Sequence, residues 1–146
     1  MSNYKKILVA IDINAQYEKV IQKALTLCES PKYVNLVYIP LPSLYLQPYL
    51  YGMEYNVIDD TERMTRVQKQ LEDIAKKFGI SKKHVFFKTG YPADEIKQFA
   101  DDIDADIIVI GTHGRSGFKL ILGSTANAVL HGVKRDILAV RIHDNE

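Results

Sequence analysis

Apolar residues fall along this chain in short continuous runs, and between the runs they recur at helical spacing. Lys6-Ile7-Leu8-Val9-Ala10-Ile11 is a β-branched run with no polar alternation, the pattern of a parallel strand buried on both faces. From Ala15 to Glu29, Val20, Ile21, Ala24, Leu25 and Cys28 recur every three or four positions and Ser30-Pro31 supplies a stop, which predicts a helix. Tyr33 to Ile39 repeats the strand pattern and breaks at Pro40. Ile58 to Phe78 predicts a longer helix with Met64, Val67, Leu71, Ile74 and Phe78 on one stripe and Gly79 as its C-terminal stop. His84 to Lys88 reads as a third strand. Thr89-Gly90-Tyr91-Pro92 then turns into a helix whose first turn carries Asp94 and Glu95, charges that favour a helix N-terminus. Asp106 to Ile110 predicts a fourth strand ending at Gly111, Ser124 to His131 a short helix, and Asp136 to Ile142 a fifth strand.

Strands separated by helical crossovers imply a parallel sheet, and the right-handed crossover rule puts helices on both faces. The expectation is therefore one α/β domain over residues 1–146: a three-layer α/β/α sandwich around a five-stranded, mainly parallel, doubly wound sheet. Ligands of such sheets sit beyond the carboxyl ends of the strands where the strand order reverses. That directs attention to Asp12, after strand one, and to Gly111, at the end of strand four. The segment from Pro40 to Val57, bearing Pro42, Pro48, Tyr45 and Tyr55, has no period and reads as a long loop, either a binding lid or a cover over a sheet edge.

Composition narrows the function classes. With 47% hydrophobic and 25% charged residues the chain is of ordinary globular type. Its 19 basic and 18 acidic residues leave a formal net charge of +1, so no general pull toward nucleic acid or an anionic membrane is encoded. The single cysteine, Cys28, builds neither a disulfide framework nor a multi-cysteine metal site and reads first as a packed thiol. No run reaches the roughly 18 apolar residues a membrane span needs, and nothing before the first strand resembles a signal peptide. A cytoplasmic protein is the simplest expectation.

The stretch richest in chemistry is Gly111-Thr112-His113-Gly114-Arg115-Ser116-Gly117, followed after Phe118 to Leu122 by Gly123-Ser124-Thr125. It joins a buried strand to a helix. Glycines let the backbone approach an anion and free helix N–H groups point at it, while Ser124 and Thr125 add hydroxyl donors. The same residues also serve simply to turn the chain and cap a helix, and spacing alone does not separate the two readings. Arg115 is a bidentate phosphate ligand or a solvated loop arginine. His113, with no adjacent carboxylate to orient it, reads as a turn residue rather than a base. Neither the P-loop nor the dinucleotide fingerprint is present.

The opening Lys5-Lys6-Ile7-Leu8-Val9-Ala10-Ile11-Asp12, the central glycine stretch and the closing Ile137-Leu138-Ala139-Val140-Arg141-Ile142 together resemble the universal stress protein family over nearly the whole chain. In that family a Gly-x-x-Gly and a later Gly-Ser/Thr after the fourth strand hold ATP. The resemblance implies that Asp12 faces the adenosine part of the ligand, with Ala10 and Ile11 beside it. It also implies that Ile39 contacts adenine through its backbone, and that Ile110 packs against the nucleoside. Gly111 and Gly114 would approach ribose and phosphates, and Gly123, Ser124 and Thr125 would hold the phosphate chain. A magnesium or manganese ion would be held mainly by phosphate oxygens. A homodimer through the C-terminal strand is implied as well, with further protein partners unspecified. One departure is that only eight residues, Arg115 to Leu122, separate Gly114 from Gly123, one fewer than the family pattern.

Three functions remain in view. The first is a nucleotide-binding stress and signalling module, at most a slow ATPase or self-phosphorylating protein, because no nucleophile, base or water-positioning residue stands out. The second keeps the fold and dimer but binds no nucleotide and acts through protein contacts, a reading the shortened spacing favours. The third is an enzyme of the adenine-nucleotide α-hydrolase-like group that resembles this fold. Those enzymes carry a phosphate loop after strand one, where this chain reads Asp12-Ile13-Asn14-Ala15-Gln16, without a glycine.

Overall fold

In a computed structural model the described residues are 4–40, 57–112 and 124–142, with the backbone alone at 57–61, 124 and 125. Strands and helices alternate in the order β1 (Ile7–Ile11), α1 (Tyr17–Leu25), β2 (Val34–Tyr38), α2 (Val57–Lys77), β3 (Val85–Phe87), α3 (Pro92–Asp102), β4 (Ile107–Gly111), α4 (Ser124–Leu130) and β5 (Asp136–Val140). Single 3-10 turns at Pro31–Tyr33 and Lys82–His84 feed β2 and β3. The sheet order is β3-β2-β1-β4-β5 and every pairing is parallel. The chain thus starts in the middle, winds outward to β3, returns to lie beside β1 as β4, and ends at the other edge. This is the doubly wound sheet the alternation predicts.

The continuous apolar runs follow from burial on both faces. Ile7, Val9, Ile11, Leu36 and Val109 pack against Val20, Ile21 and Ala24 of α1 and Leu71, Ile74 and Ala75 of α2. Leu8, Ala10, Val37, Ile108 and Ile110 pack against Ile96, Phe99 and Ala100 of α3 and Ala126 and Val129 of α4. Each fully buried Leu, Ile or Val contributes about 1.5–3 kcal/mol of apolar transfer, so these two layers are the main source of stability.

Helix ends are set locally. α2 stops as Gly79 predicts: Gly79 has φ +76°, Ile80 N–H donates to the Ala75 carbonyl at 2.9 Å, and Gly79 N–H to that of Lys76 at 3.2 Å, the paired bonds of a Schellman ending. α3 ends the same way without a glycine. Asp104 takes φ 55° while Ala105 N–H reaches the Ala100 carbonyl at 2.9 Å. α1 departs from expectation, ending at Leu25 rather than Glu29. Thr26 Oγ1 donates to the Lys23 carbonyl at 2.6 Å and Leu27 N–H to the Ala24 carbonyl at 3.0 Å; the threonine hydroxyl competes for the helical acceptor and the last turn tightens out of α geometry.

Candidate functional site

The strand order reverses between β1 and β4. Their register pairs Ala10 with Ile110, and the β1–β2 register pairs Ile11 with Tyr38. Ala10, Ile11, Asp12, Ile39, Ile110 and Gly111 are therefore gathered at the carboxyl edge of three neighbouring strands. Alternation along each strand sends Ala10, Ile39 and Ile110 to the α3/α4 layer and Ile11 to the α1/α2 layer. Ala10, Ile11, Ile39 and Ile110 are 6–8% exposed, whereas Leu8, Val9, Ile108 and Val109 one turn of the pleat deeper are 0%. The core opens slightly at this edge and presents an apolar floor.

Asp12 shapes the turn that leaves β1. Its Oδ1 accepts from Asn14 N–H at 2.9 Å and its carbonyl accepts from Ala15 N–H at 3.0 Å. The carboxylate so performs, by a side-chain turn, what a glycine often does there. This explains how a segment without glycine bends at the strand end. It also fixes Asp12 beside the floor formed by Ala10 and Ile110.

Gly111 has a packing reason for being glycine. A β-carbon on it would collide with the Ile142 side chain and stand 3.4 Å from Val20 Cγ2. The position is a packing glycine on the α1 side of the sheet. Thr112, which the sequence did not single out, ties the start of the glycine-rich turn to the last strand: its N–H donates to the Val140 carbonyl at 2.9 Å and its Oγ1 accepts from Ile142 N–H at 3.1 Å. The only signal for it in the sequence is a hydroxyl residue directly after a strand-ending glycine.

The rest of the expected constellation is not brought into view. Gly114, Arg115, Gly123 and His113 lie outside the described residues, as do His143 and residues 41–56 of the Pro40 to Val57 loop. Ser124 and Thr125 open α4, with their backbone alone described. His131 follows α4, its carbonyl accepting from Lys97 Nζ at 3.2 Å. Among the described residues no group of three or more His, Cys, Asp or Glu could hold a metal ion. Cys28 is half-buried; desolvation pushes its thiol pKa up, partly offset by a hydrogen bond at Ser30, so it is a poor nucleophile at neutral pH.

Residues 3–141 match the family model described as the universal stress protein family. The chain belongs to the universal stress protein family. Among its relatives, Universal stress protein A homolog 2 of Coxiella burnetii is 37% identical over 145 residues, covering 97% of this chain and 98% of the relative. In fold the chain is similar to the solved protein named hypothetical protein MJ0577, at TM-score 0.78 and 22% identity, covering 97% of this chain and 99% of that one. It is also similar to a universal stress protein solved in complex with cAMP, at TM-score 0.60 and 21% identity, covering 95% and 98%. No helix among the described residues is long and apolar enough to cross a membrane.

Proposed function

We propose that this universal stress protein is a cytoplasmic, dimeric regulatory module that binds ATP at the turn running from Gly111 to Thr125. One observation carries the reading: Asp12 and Gly111 stand at the carboxyl ends of adjacent parallel strands where the strand order reverses, the place where such sheets bind ligands. The floor of Ala10, Ile39 and Ile110 suits the apolar face of a base, and the Asp12 carboxylate suits ribose hydroxyls. Gly114, Arg115, Gly123, Ser124 and Thr125 would hold the phosphates, with magnesium or manganese bound through phosphate oxygens. The similar protein solved with cAMP supports an adenine nucleotide over other ligands.

The dimer is supported by the place of β5 at the sheet edge. Val140 directs its carbonyl to Thr112, so by alternation Ile137, Ala139 and Arg141 turn their backbone groups outward, where a second copy's strand can pair with them. A second reading, a family member that binds no nucleotide and acts through protein contacts, is favoured by the eight-residue spacing between Gly114 and Gly123.

The test is to denature freshly purified protein, identify any released nucleotide by chromatography, and titrate the emptied protein with ATP and magnesium by calorimetry. ATP release or binding that is lost on Gly114→Val or Ser124→Ala supports the first reading. No heat even at millimolar ATP, with a dimer by light scattering, leaves the second.

A further inference from the structure

The amino edge of the sheet, opposite the candidate site, is divided by charge. Lys82 and Lys83 feed β3, Lys32 feeds β2, and Lys5 and Lys6 feed β1; all five are exposed. These three strands are neighbours. The C-terminal turn of α2 adds Lys76 and Lys77 and docks on the same corner, where Pro31 Cγ lies 3.5 Å from the β-carbon position of Gly79. Asp106 and Asp136 feed the other two strands, β4 and β5, and Asp101, Asp102 and Asp104 stand at the end of α3; the cations on this half, among the described residues, are the exposed Lys134 and the half-buried Arg135, the latter paired with Asp101.

The two halves differ in how their charges are used. Asp106 Oδ2 accepts from the Lys5 and Lys6 N–H groups at 2.9 and 3.0 Å. Asp136 accepts the Tyr4 hydroxyl at 2.7 Å, Asp102 accepts the Gln98 amide at 2.9 Å, and Asp101 pairs with Arg135 at 2.7 Å. That ion pair is the one found within 4.0 Å among the described residues, so none of the lysine ammonium groups on the other half meets a described carboxylate. Lys76 and Lys77 complement the α2 carboxyl end. Lys32, Lys82 and Lys83 sit in 3-10 turns, where no α-helix end accounts for them; Lys32 Nζ rests over the Tyr33 ring at 5.2 Å.

We infer that the lysine row before β1, β2 and β3 is a docking surface for an acidic segment of a partner protein, on the edge of the sheet opposite the candidate nucleotide site. Its width selects the partner class. Three strands span roughly 10 Å between the outer two, and beyond β1 the row gives way to Asp106 and Asp136. A duplex or a bilayer plane extends past the lysines and meets those carboxylates, whereas an acidic peptide of about three residues, roughly 10 Å when extended, is satisfied within the row.

The test is fluorescence anisotropy of a labelled triglutamate peptide titrated with the full chain at low salt, beside a short duplex and phosphatidylserine vesicles. The variant Lys32→Glu/Lys82→Glu/Lys83→Glu is compared with Arg63→Glu/Arg66→Glu/Lys69→Glu on α2, which makes the same change in net charge. A Lys→Gln version of the first triple guards against misfolding, checked by circular dichroism. Salt-sensitive peptide binding that weakens about tenfold or more in the lysine-row variants, and stays within about twofold in the α2 variant, is the expected result. Absence of peptide binding, equal loss in both sets, or tighter binding of duplex or vesicles overturns the inference. None of these readouts depends on whether ATP binds.

Discussion

The Ile142 side chain occupies the space that a β-carbon on Gly111 would need, so the residue that ends β4 is fixed by one that follows β5. Gly111→Ala is expected to lower stability by about 1–3 kcal/mol through overpacking, read as a drop in the urea midpoint. Ile142→Ala makes room for the added methyl, and the double variant should recover part of that loss. Strictly additive losses would show that the two residues do not share this space.

Asp104 holds a left-handed backbone, φ 55°, at the end of α3. A non-glycine residue there carries a penalty of roughly 1 kcal/mol, set against the entropy that a glycine adds to the unfolded chain. Asp104→Gly is expected to raise stability by a few tenths to about 1 kcal/mol, while Gly79→Ala, at φ +76°, should lower it by about 1 kcal/mol. Thermal melts of the two variants should move in opposite directions.

Arg135 clamps the same helix end: its guanidinium donates to the Ala100 and Ala105 carbonyls and pairs with Asp101 at 2.7 Å. The arginine side chain is 15% exposed and the aspartate 67%, so the carbonyl bonds and not the ion pair dominate. Arg135→Met is expected to cost about 1–3 kcal/mol, chiefly by taking the charged donor from the Ala105 carbonyl, since the Ala100 carbonyl keeps its bond from Ala105 N–H, whereas Asp101→Asn should cost at most about 1 kcal/mol. Equal losses would overturn this ranking.

Alkaline pH should weaken the fold. The Tyr4 phenol is held protonated chiefly by its hydrogen bond to Asp136, and the Tyr17 phenol and Cys28 thiol are raised chiefly by burial. The folded state thus keeps protons that the unfolded chain releases first, so stability is full below about pH 8 and declines as pH rises through the range where free thiols and phenols ionise. Urea midpoints at successive pH values check this; a midpoint that climbs between neutral and strongly alkaline pH would contradict the sign.

What the sequence revealed and what it hid divide by distance along the chain. The strands were legible because two-sided burial forces uninterrupted apolar runs such as Ile7–Ile11, and the end of α2 because Gly79 is adjacent to the helix it stops. The converging strand ends at Asp12 and Gly111 followed from strand–helix alternation and crossover handedness. The early end of α1 was hidden because a single hydroxyl, Thr26, overrides a helical period that continues to Cys28. The reason for Gly111, the tie between Thr112 and Ile142, and the Arg135 clamp were hidden because their partners lie 30 or more residues away and nothing local marks them.

β1 lies at the centre of the sheet, between β2 and β4, and this orders events during synthesis. The β1–β2 pair can form once residue 38 has emerged, but the β1–β4 junction requires residues 107–110. Because distant pairing waits for the intervening chain, the floor of the candidate site is assembled among the last parts of the molecule. A ribosome product interrupted before β4 can bury one flank of its core but lacks the β4 side of the candidate site.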